Sequence, residues 1–115
     1  MRIHLPKRER VSMEQIETIV CNDYSIESSE LRNKSRVTDL SNTRHVIMAM
    51  AREFTGLGFD SIAAYYGQHY SSAIWASKKI REHDESGNDA WISYSEGLRA
   101  KIAKINDVLI DKQKT

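Results

Sequence analysis

The stretch that decides the fold is RHVIMAMAREFTG at residues 44–56. Its apolar residues recur at spacings of three and four, which predicts an amphipathic α-helix with one wide apolar face. We expect Gly56 and Gly58 to end this helix, and Ser41 or Asn42 to cap its start. The residues of the predicted apolar face are Val46, Ile47, Met50, Ala51 and Phe54.

Two shorter helical segments follow directly and predict a helix-turn-helix. The first runs from Phe59 to Gly67, and the second covers residues 73–81 after a brief polar turn. Two helices joined by a tight glycine-containing turn, with basic residues on the second, are typical of this motif, although helical hairpins in plain bundles share the pattern. The second helix is predicted to bury Ala73, Ile74, Ser77 and Ile80 and to carry Lys78, Lys79 and Arg81 on its outer side.

The segments before this region are predicted to form an arm, two helices and a loop. Residues 1–11 are expected to be a basic arm, and Ser12 to cap a three-turn amphipathic helix that reaches Tyr24. A short helical turn then ends at Leu31, and the polar, basic residues 32–39 are predicted to be a loop.

The C-terminal part predicts an acidic linker at residues 83–90 and an amphipathic helix of about five turns. The apolar stripe of that helix has two interpretations. It packs back on the domain, or it forms the seam of a homodimer, since the same spacing fits a heptad. The stripe residues are Trp91, Tyr94, Leu98, Ile102, Ile105 and Leu109.

No alternating strand pattern is visible in the sequence, so the predicted fold class is all-α. We expect a compact helical bundle that contains a helix-turn-helix and an extra C-terminal amphipathic helix. The predicted organisation is a basic arm at 1–11, a helix-turn-helix domain at 12–82, and the linker with the C-terminal helix at 83–115.

Composition excludes several classes of function. A chain of 115 residues without an apolar run of about 18 residues is expected to be one cytoplasmic domain that does not enter a membrane. The single cysteine, Cys21, excludes a disulfide framework, and no glycine-rich phosphate-binding loop is present. We therefore predict no enzyme, no cofactor and no metal site. The histidines are too scattered to bind a metal and stand at His4, His45, His69 and His83.

The net charge of +1 hides an uneven distribution of charge. Residues 2–10, 32–36 and 78–81 are rich in lysine and arginine, whereas residues 13–31 carry five carboxylates and no basic residue. A patch of one sign attracts an oppositely charged partner even on a nearly neutral protein. The basic blocks therefore favour an anionic partner, although an ordinary solvated surface produces similar runs.

Four motifs stand in a fixed order: LRNKSR at 31–36, RHVIMAMAREFTG at 44–56, FDSIAAYYG at 59–67 and SSAIWASKKI at 71–80. This series resembles the C-terminal DNA-binding domain of the bacterial replication initiator DnaA. In that family a basic loop precedes an RQxAMxLARELT helix, an LxEIGxxFG helix and a TTVxxAxxKI recognition helix. The opening helix fits as well, so the likeness covers residues 12–82. It implies a DnaA C-terminal, Trp-repressor-like helical fold, and a family member without the ATPase domain of the initiator.

The resemblance implies sequence-selective binding of double-stranded DNA, in replication initiation or its regulation, or in a phage or mobile-element regulator. The last alternative arises because similar helix-turn-helix domains are appended to some transposase-type proteins. In the family, the basic loop and the arginine that matches Arg44 approach phosphates and the minor groove, and the start of the recognition helix faces base edges. The DNA-binding residues carried over in this way are Lys34, Arg36, Arg44, Ser71, Ser72, Lys78 and Lys79.

The turn departs from the family pattern GGRDHTT. This chain has GQHYSS at residues 67–72, which is one residue shorter and lacks the Asp-His pair. Tyr70 stands nearest the place of that histidine, and Gln68 or His69 could reach purine edges instead. The alternative function is a protein-interaction or dimerisation module with a degenerate helix-turn-helix, which the near-zero net charge and the acidic N-terminal helix favour.

Overall fold

A computed structural model of the chain describes residues 10–32 and 38–113, and every regular element within these ranges is an α-helix. The predicted all-α fold is thereby confirmed. None of the described helices is long and apolar enough to cross a membrane, and nowhere in these ranges do three metal-binding side chains meet. The helices are α1 (Met13–Tyr24), α2 (Ser28–Leu31), α3 (Thr38–Phe54), α4 (Phe59–Ala64), α5 (Tyr70–Glu85) and α6 (Asp89–Gln113).

The first helix begins where the sequence predicts. Ser12 is its N-cap, because the Ser12 Oγ accepts the Gln15 N–H at 3.2 Å and the Gln15 side chain accepts the Ser12 N–H at 2.9 Å. This reciprocal capping satisfies two N–H groups that no helical carbonyl can reach. The helix ends before Ser25, which adopts a left-handed conformation with a φ of +55°.

The central helix begins earlier than predicted. Ser41 and Asn42 lie inside α3, which starts three residues before Ser41, so neither residue is its N-cap. The reason is packing. Leu40 contacts the core one helical turn before the buried Thr43, so the inward face of the helix already includes position 40. The end of α3 follows the prediction, since the helix stops two residues before Gly56, whose φ is +77°.

Helix α3 forms the centre of the bundle. It contacts every other helix, and its residues 46–51 are all buried. Helices α1 and α5 pack on it, and α4 packs on α5. The other helices and the segment before α1 supply the rest of the core, chiefly Val11, Ile16, Val20, Leu31, Ile62, Ile80, Leu98 and Ile102.

Most of the predicted acidic linker is helical. Residues 83–85 form the end of α5, and only residues 86–88 separate it from α6. Gly87 has a φ of +76°, which allows the chain to reverse, and the Asn88 side chain accepts the Trp91 N–H at 2.9 Å, as an N-cap does. The acidic run and the glycine therefore mark a tight connection between two helices rather than an extended linker.

The apolar stripe of α6 packs on the bundle. Leu98 and Ile102 are among the most deeply buried residues, at 1% and 0% exposure. Beside them, Arg99 forms salt bridges with Asp84 of α5 at 2.8 Å and with Glu53 of α3 at 3.1 Å. Burial alone would raise the pKa of Asp84, but hydrogen bonds from Arg99 and a tryptophan indole outweigh it and hold that pKa below its usual value. The structure therefore shows the first of the two interpretations, in which the stripe packs back on the domain.

The segment before α1 is also joined to α6. The Asn106 side chain accepts the Val11 N–H at 2.7 Å and donates to the Phe54 carbonyl at 3.2 Å. Val11 is 1% exposed, so it belongs to the core and not to the predicted arm. Of the other predicted arm residues, Arg10 is exposed, and residues 1–9 lie outside the described ranges.

Candidate nucleic-acid interface

Helices α4 and α5 form a helix-turn-helix whose turn is closed by backbone hydrogen bonds. The Gln68 N–H donates to the Ala63 carbonyl at 3.0 Å, and the Gly67 N–H donates to the Ala64 carbonyl at 2.9 Å. Gly67 has a φ of +65°, as the Schellman motif at the end of a helix requires. Because Ile62 and Ala63 are fully buried, α4 is anchored in the core and the turn holds α5 in a defined direction.

The start of α5 is capped by His69. Its Nδ1 accepts the Ser71 N–H at 3.3 Å and lies 2.9 Å from the Ser71 Oγ. Because Nδ1 accepts a hydrogen bond, the neutral ring carries its proton on Nε2, which leaves an N–H donor on the other side of the ring. Tyr70 follows with 51% exposure, and its ring centre lies 4.2 Å from that of His69.

The outer face of α5 differs from the prediction. Ala73 and Ala76 are fully buried, whereas Ile74, which was predicted to be buried, is 42% exposed. Beside it, Trp75 is 53% exposed. A helix turns by about 100° per residue, so Ala73 and Ile74 cannot both point to the centre of one face. Helix α5 packs on both α3 and α4, and the two alanines lie on its buried side, which leaves Ile74 toward solvent.

Most of the predicted DNA-binding residues lie in the turn or along α5. The Lys79 ammonium donates to the Asn42 side chain at 3.0 Å and lies 5.0 Å from the centre of the Trp75 ring. Lys79 is therefore held at the junction of α3 and α5. The exposed members of the predicted set are His69, Tyr70, Ser71 and Lys78, and the half-buried members are Gln68, Ser72 and Lys79.

A histidine of α3 supports the exposed indole at this junction. The rings of His45 and Trp75 meet edge to face with their centres 4.8 Å apart. Burial, together with the nearby positive charges of Lys79 and Arg44, lowers the pKa of His45 to about 4. The His45 Nδ1 is buried without a hydrogen-bond partner in the described part of the chain. The imidazole is therefore neutral at physiological pH and acts here as a packing group.

The model of the bacterial DnaA protein helix-turn-helix family matches residues 13–80, from the first residue of α1 into the second half of α5. The chain belongs to this DnaA helix-turn-helix family. At family level, the domain binds double-stranded DNA and is not catalytic.

Chromosomal replication initiator proteins DnaA are similar over most of the chain. That of Campylobacter jejuni strain 81-176 is 28% identical over 116 residues, which cover 98% of this chain and 24% of that protein. That of Laribacter hongkongensis is 31% identical over 87 residues, 75% of this chain and 18% of that protein. For Campylobacter concisus the identity is 35% over 81 residues, 70% of this chain and 19% of that protein. The chain thus spans a quarter or less of the length of these relatives.

Arg44, which by the resemblance approaches phosphates and the minor groove, is largely buried in this DnaA domain. It is 6% exposed, and its guanidinium donates to the Leu31 carbonyl at 3.2 Å and to the Ser41 Oγ at 3.3 Å. The side chain therefore ties the start of α3 to the end of α2 and does not lie open at the surface. Lys34 and Arg36, on the predicted loop between these helices, lie outside the described ranges.

A buried carboxylate joins α1 to the turn of the DnaA helix-turn-helix. Glu17 is 3% exposed, and its carboxylate accepts the Tyr66 hydroxyl at 2.6 Å and faces the Arg32 guanidinium at 3.4 Å. Burial and this hydrogen bond raise the pKa of Tyr66. The guanidinium of Arg32 also lies 4.8 Å from the centre of the Tyr65 ring. Sequence reasoning missed this cluster, although Glu17 directly follows Ile16 on the apolar side of α1, where a charge needs a partner.

Proposed function

We propose that this chain binds double-stranded DNA through its helix-turn-helix, with α5 as the recognition helix in the major groove. The open start of α5 supports this most directly, because His69, Tyr70 and Ser71 are exposed there. In this motif the N-terminal residues of the recognition helix contact base edges. The N–H groups at a helix start also favour contact with phosphates.

The polar groups at this end of α5 suit base recognition. The Nε2–H of His69 can donate to guanine N7 or O6, and the hydroxyls of Tyr70 and Ser71 can both donate and accept. We therefore propose that binding is sequence-selective. The preferred site is expected to differ from the box of the family, because the turn lacks the Asp-His pair. Gln68 and Ser72 are half-buried and are proposed to contribute from the edge of the contact.

Phosphate contacts are proposed for the basic residues around the recognition helix. Lys78 is exposed two turns into α5. Lys79 lies beside Asn42, close to where the basic segment with Lys34 and Arg36 joins α3. Each phosphate that a lysine or arginine neutralises releases counterions, so we expect the affinity to fall as salt rises.

Arg44 is proposed to act on DNA binding through the basic segment. Its hydrogen bonds to Leu31 and Ser41 hold the two helix ends that flank this segment. We propose that Arg44 contributes to DNA binding by keeping these two helix ends together. Replacing it is therefore expected to weaken both folding and DNA binding.

The proposed biological role is replication initiation or its regulation, in the cytoplasm, with a phage or mobile-element regulator as the second possibility. The family supports the first of these. A homodimer through the predicted apolar stripe of α6 would have to remove Leu98 and Ile102 from the core, so no observation favours it.

Fluorescence anisotropy with labelled duplexes tests the proposal. The full chain is titrated onto a random duplex and onto a duplex with the DnaA box, each at two salt concentrations. Lys78→Ala should weaken binding to every duplex and reduce the slope of log K against log salt by about 1. Lys104→Ala removes an exposed lysine of α6 and should leave both quantities unchanged, so it is the matched control.

The outcomes separate the remaining possibilities. Tighter binding to the box than to the random duplex would support the replication role. Equal, salt-dependent binding to both would indicate a DNA-binding protein with another target. Absence of binding to either duplex at low salt would contradict the proposal and favour the protein-interaction alternative.

A further inference from the structure

We propose that a groove lined by five helices, all except α4, binds a small planar aromatic carboxylate. The ring of this ligand lies against Trp91, and its carboxylate contacts the Lys79 ammonium. The site goes beyond the function proposed above, because it lies on the second half of α5 and does not include the turn or the start of that helix.

The groove is large enough for such a ligand and results from the packing of the bundle. Its volume is about 880 Å³, within the range of small-molecule sites in proteins. Val46 and Ile80, each 4% exposed, contribute buried apolar surface, and the half-buried Ile26 and Leu40 also line it. Because the lining residues come from α1, α2, α3, α5 and α6, the shape of the groove is set by the fold.

Aromatic rings in defined positions form part of the lining. The Trp91 indole N–H donates to the Asp84 carboxylate at 2.9 Å, which fixes the ring at the start of α6. Tyr94 connects it to Tyr24, since the ring centres are 5.9 Å and 5.7 Å apart. Trp91 and Tyr24 both line the groove. Their rings favour a planar aromatic ligand, because aromatic pairs are more stable than their buried area alone accounts for.

Lys79 supplies a positive charge without a counter-ion. Its ammonium donates to the Asn42 side chain at 3.0 Å, and no carboxylate lies within salt-bridge distance of it in the described part of the chain. An ammonium has three N–H donors, so donors remain for a ligand. The one carboxylate among the described lining residues, that of Glu30, already accepts the Glu27 N–H at 3.2 Å.

His45 adds an unused hydrogen-bonding atom to the same part of the groove. It lies beside Lys79, since both side chains contact the Trp75 ring. The His45 Nδ1 is buried without a hydrogen-bond partner among the described residues, which is rare in folded proteins. The polar end of the groove is therefore the end with Lys79 and His45.

These features together favour an aromatic carboxylate over simpler ligands. A neutral apolar molecule would fill the groove and leave Lys79 without a counter-ion. An aliphatic acid would neutralise Lys79 and make no ring contact with Trp91 or Tyr24. A ligand with both groups satisfies the charge and the aromatic lining at once.

A bound carboxylate is also expected to affect DNA binding, a consequence that rests on the function proposed above. Lys79 is among the residues proposed to contact phosphate, and a carboxylate on its ammonium would take the place of that phosphate. The ligand should therefore lower the affinity for a duplex, and by linkage the duplex should lower the affinity for the ligand by the same factor.

Titration with three probes, followed by nuclear magnetic resonance of the full chain, tests the site. The probes are naphthoate, the uncharged naphthylmethanol and the non-aromatic cyclohexanecarboxylate. We expect naphthoate to shift the indole N–H signal of Trp91 and to bind about tenfold more tightly than either other probe, since each of those lacks one of the two contacts. Trp75→Phe removes the only other indole signal and so assigns that of Trp91.

Protein variants locate the carboxylate. Lys79→Met should bind naphthoate about tenfold more weakly and should no longer distinguish it from naphthylmethanol. Lys104→Met removes an exposed lysine of α6 and should retain the full difference between the two probes. The dispersion of the amide signals shows in the same spectra that each variant is folded.

Four results would count against the proposal or its consequence. Equal affinity of the wild type for naphthoate and naphthylmethanol would overturn it, because the groove would not select an anion. Signal shifts confined to residues outside the groove, or the same loss in both lysine variants, would refute the location. An unchanged Kd for the duplex at saturating naphthoate would overturn the effect on DNA alone. Failure to bind any duplex would remove the proposed function and that effect, while probe binding would still establish the site.

Discussion

The hydroxyl of Tyr66 donates a 2.6 Å hydrogen bond to the carboxylate of Glu17, 49 residues away in the chain. The carboxylate is buried, and its second partner is the guanidinium of Arg32 at 3.4 Å. A buried charge is tolerated only where partners replace the water it has lost. This pair therefore fixes the turn between α4 and α5 to α1, and so sets the direction in which the recognition helix leaves the bundle.

Tyr66→Phe is expected to lower the free energy of unfolding by about 1–3 kcal/mol, because the carboxylate of Glu17 loses a hydrogen bond that water cannot replace. Urea unfolding followed by circular dichroism measures the change. Tyr70→Phe, on an exposed tyrosine, is the control and should leave the stability unchanged. Equal stability of Tyr66→Phe and the wild type would show that the bond contributes nothing to folding.

Ile102→Ala is expected to lower the free energy of unfolding by about 2–5 kcal/mol, because it leaves a cavity in the shared core. Val108→Ala on the exposed side of the same helix should change it by less than about 0.5 kcal/mol. Chemical denaturation of both variants gives the comparison. Similar small effects for the two would mean that α6 does not contribute to the core.

The stability of the domain should fall as the pH drops from about 6.5 to about 4 because of His45. In the folded state the pKa of His45 is lowered to about 4, so over this range the unfolded chain binds a proton that the folded chain does not. His45→Gln should therefore lose less stability than the wild type between pH 7 and pH 5. Melting temperatures at the two pH values measure this difference. If His45→Gln and the wild type lose the same stability, the lowered pKa of His45 is not the cause.

Ser77→Ala is expected to raise the free energy of unfolding by about 1 kcal/mol, because the Ser77 Oγ is buried without a hydrogen-bond partner in the described part of the chain. Part of any gain comes from the higher helix propensity of alanine. Ser93→Ala, on the exposed side of α6, measures that part alone. If the two substitutions stabilise equally in thermal unfolding, the hydroxyl of Ser77 has found a partner, such as a bound water molecule.

Periodicity predicted the helices well, because the apolar spacing within α1, α3 and α6 is set by local geometry. The N-cap at Ser12 and the stop at Gly56 depend on a few neighbouring residues, and the structure confirms both. The predicted start of α3 was wrong, because the packing of Leu40 extends the helix beyond the polar residues that suggested an N-cap. The predicted linker at residues 83–90 was wrong, because charge and glycine content do not distinguish a short turn between helices from a long linker.

The candidate site was harder to predict, because it depends on contacts between distant segments. Whether Ile74 faces inward or outward is decided by a small difference in the rotation of α5, which its packing on α3 and α4 determines. Arg44 is buried because its guanidinium reaches the Leu31 carbonyl beside α3. The spacing of the motifs does not predict that contact. The pairing of Glu17 with Tyr66 was equally invisible, although a lone charge on an apolar face signals that some partner exists.

The burial of Leu98 and Ile102 has a practical consequence for work with this domain. The family match stops at residue 80, yet the apolar surface of α1, α3 and α5 continues under α6. A fragment cut at residue 80 would present this surface to water and is expected to aggregate, whatever its sequence similarity to a helix-turn-helix. The smallest soluble unit should extend at least to Asn106, which closes the bundle against Val11 and Phe54.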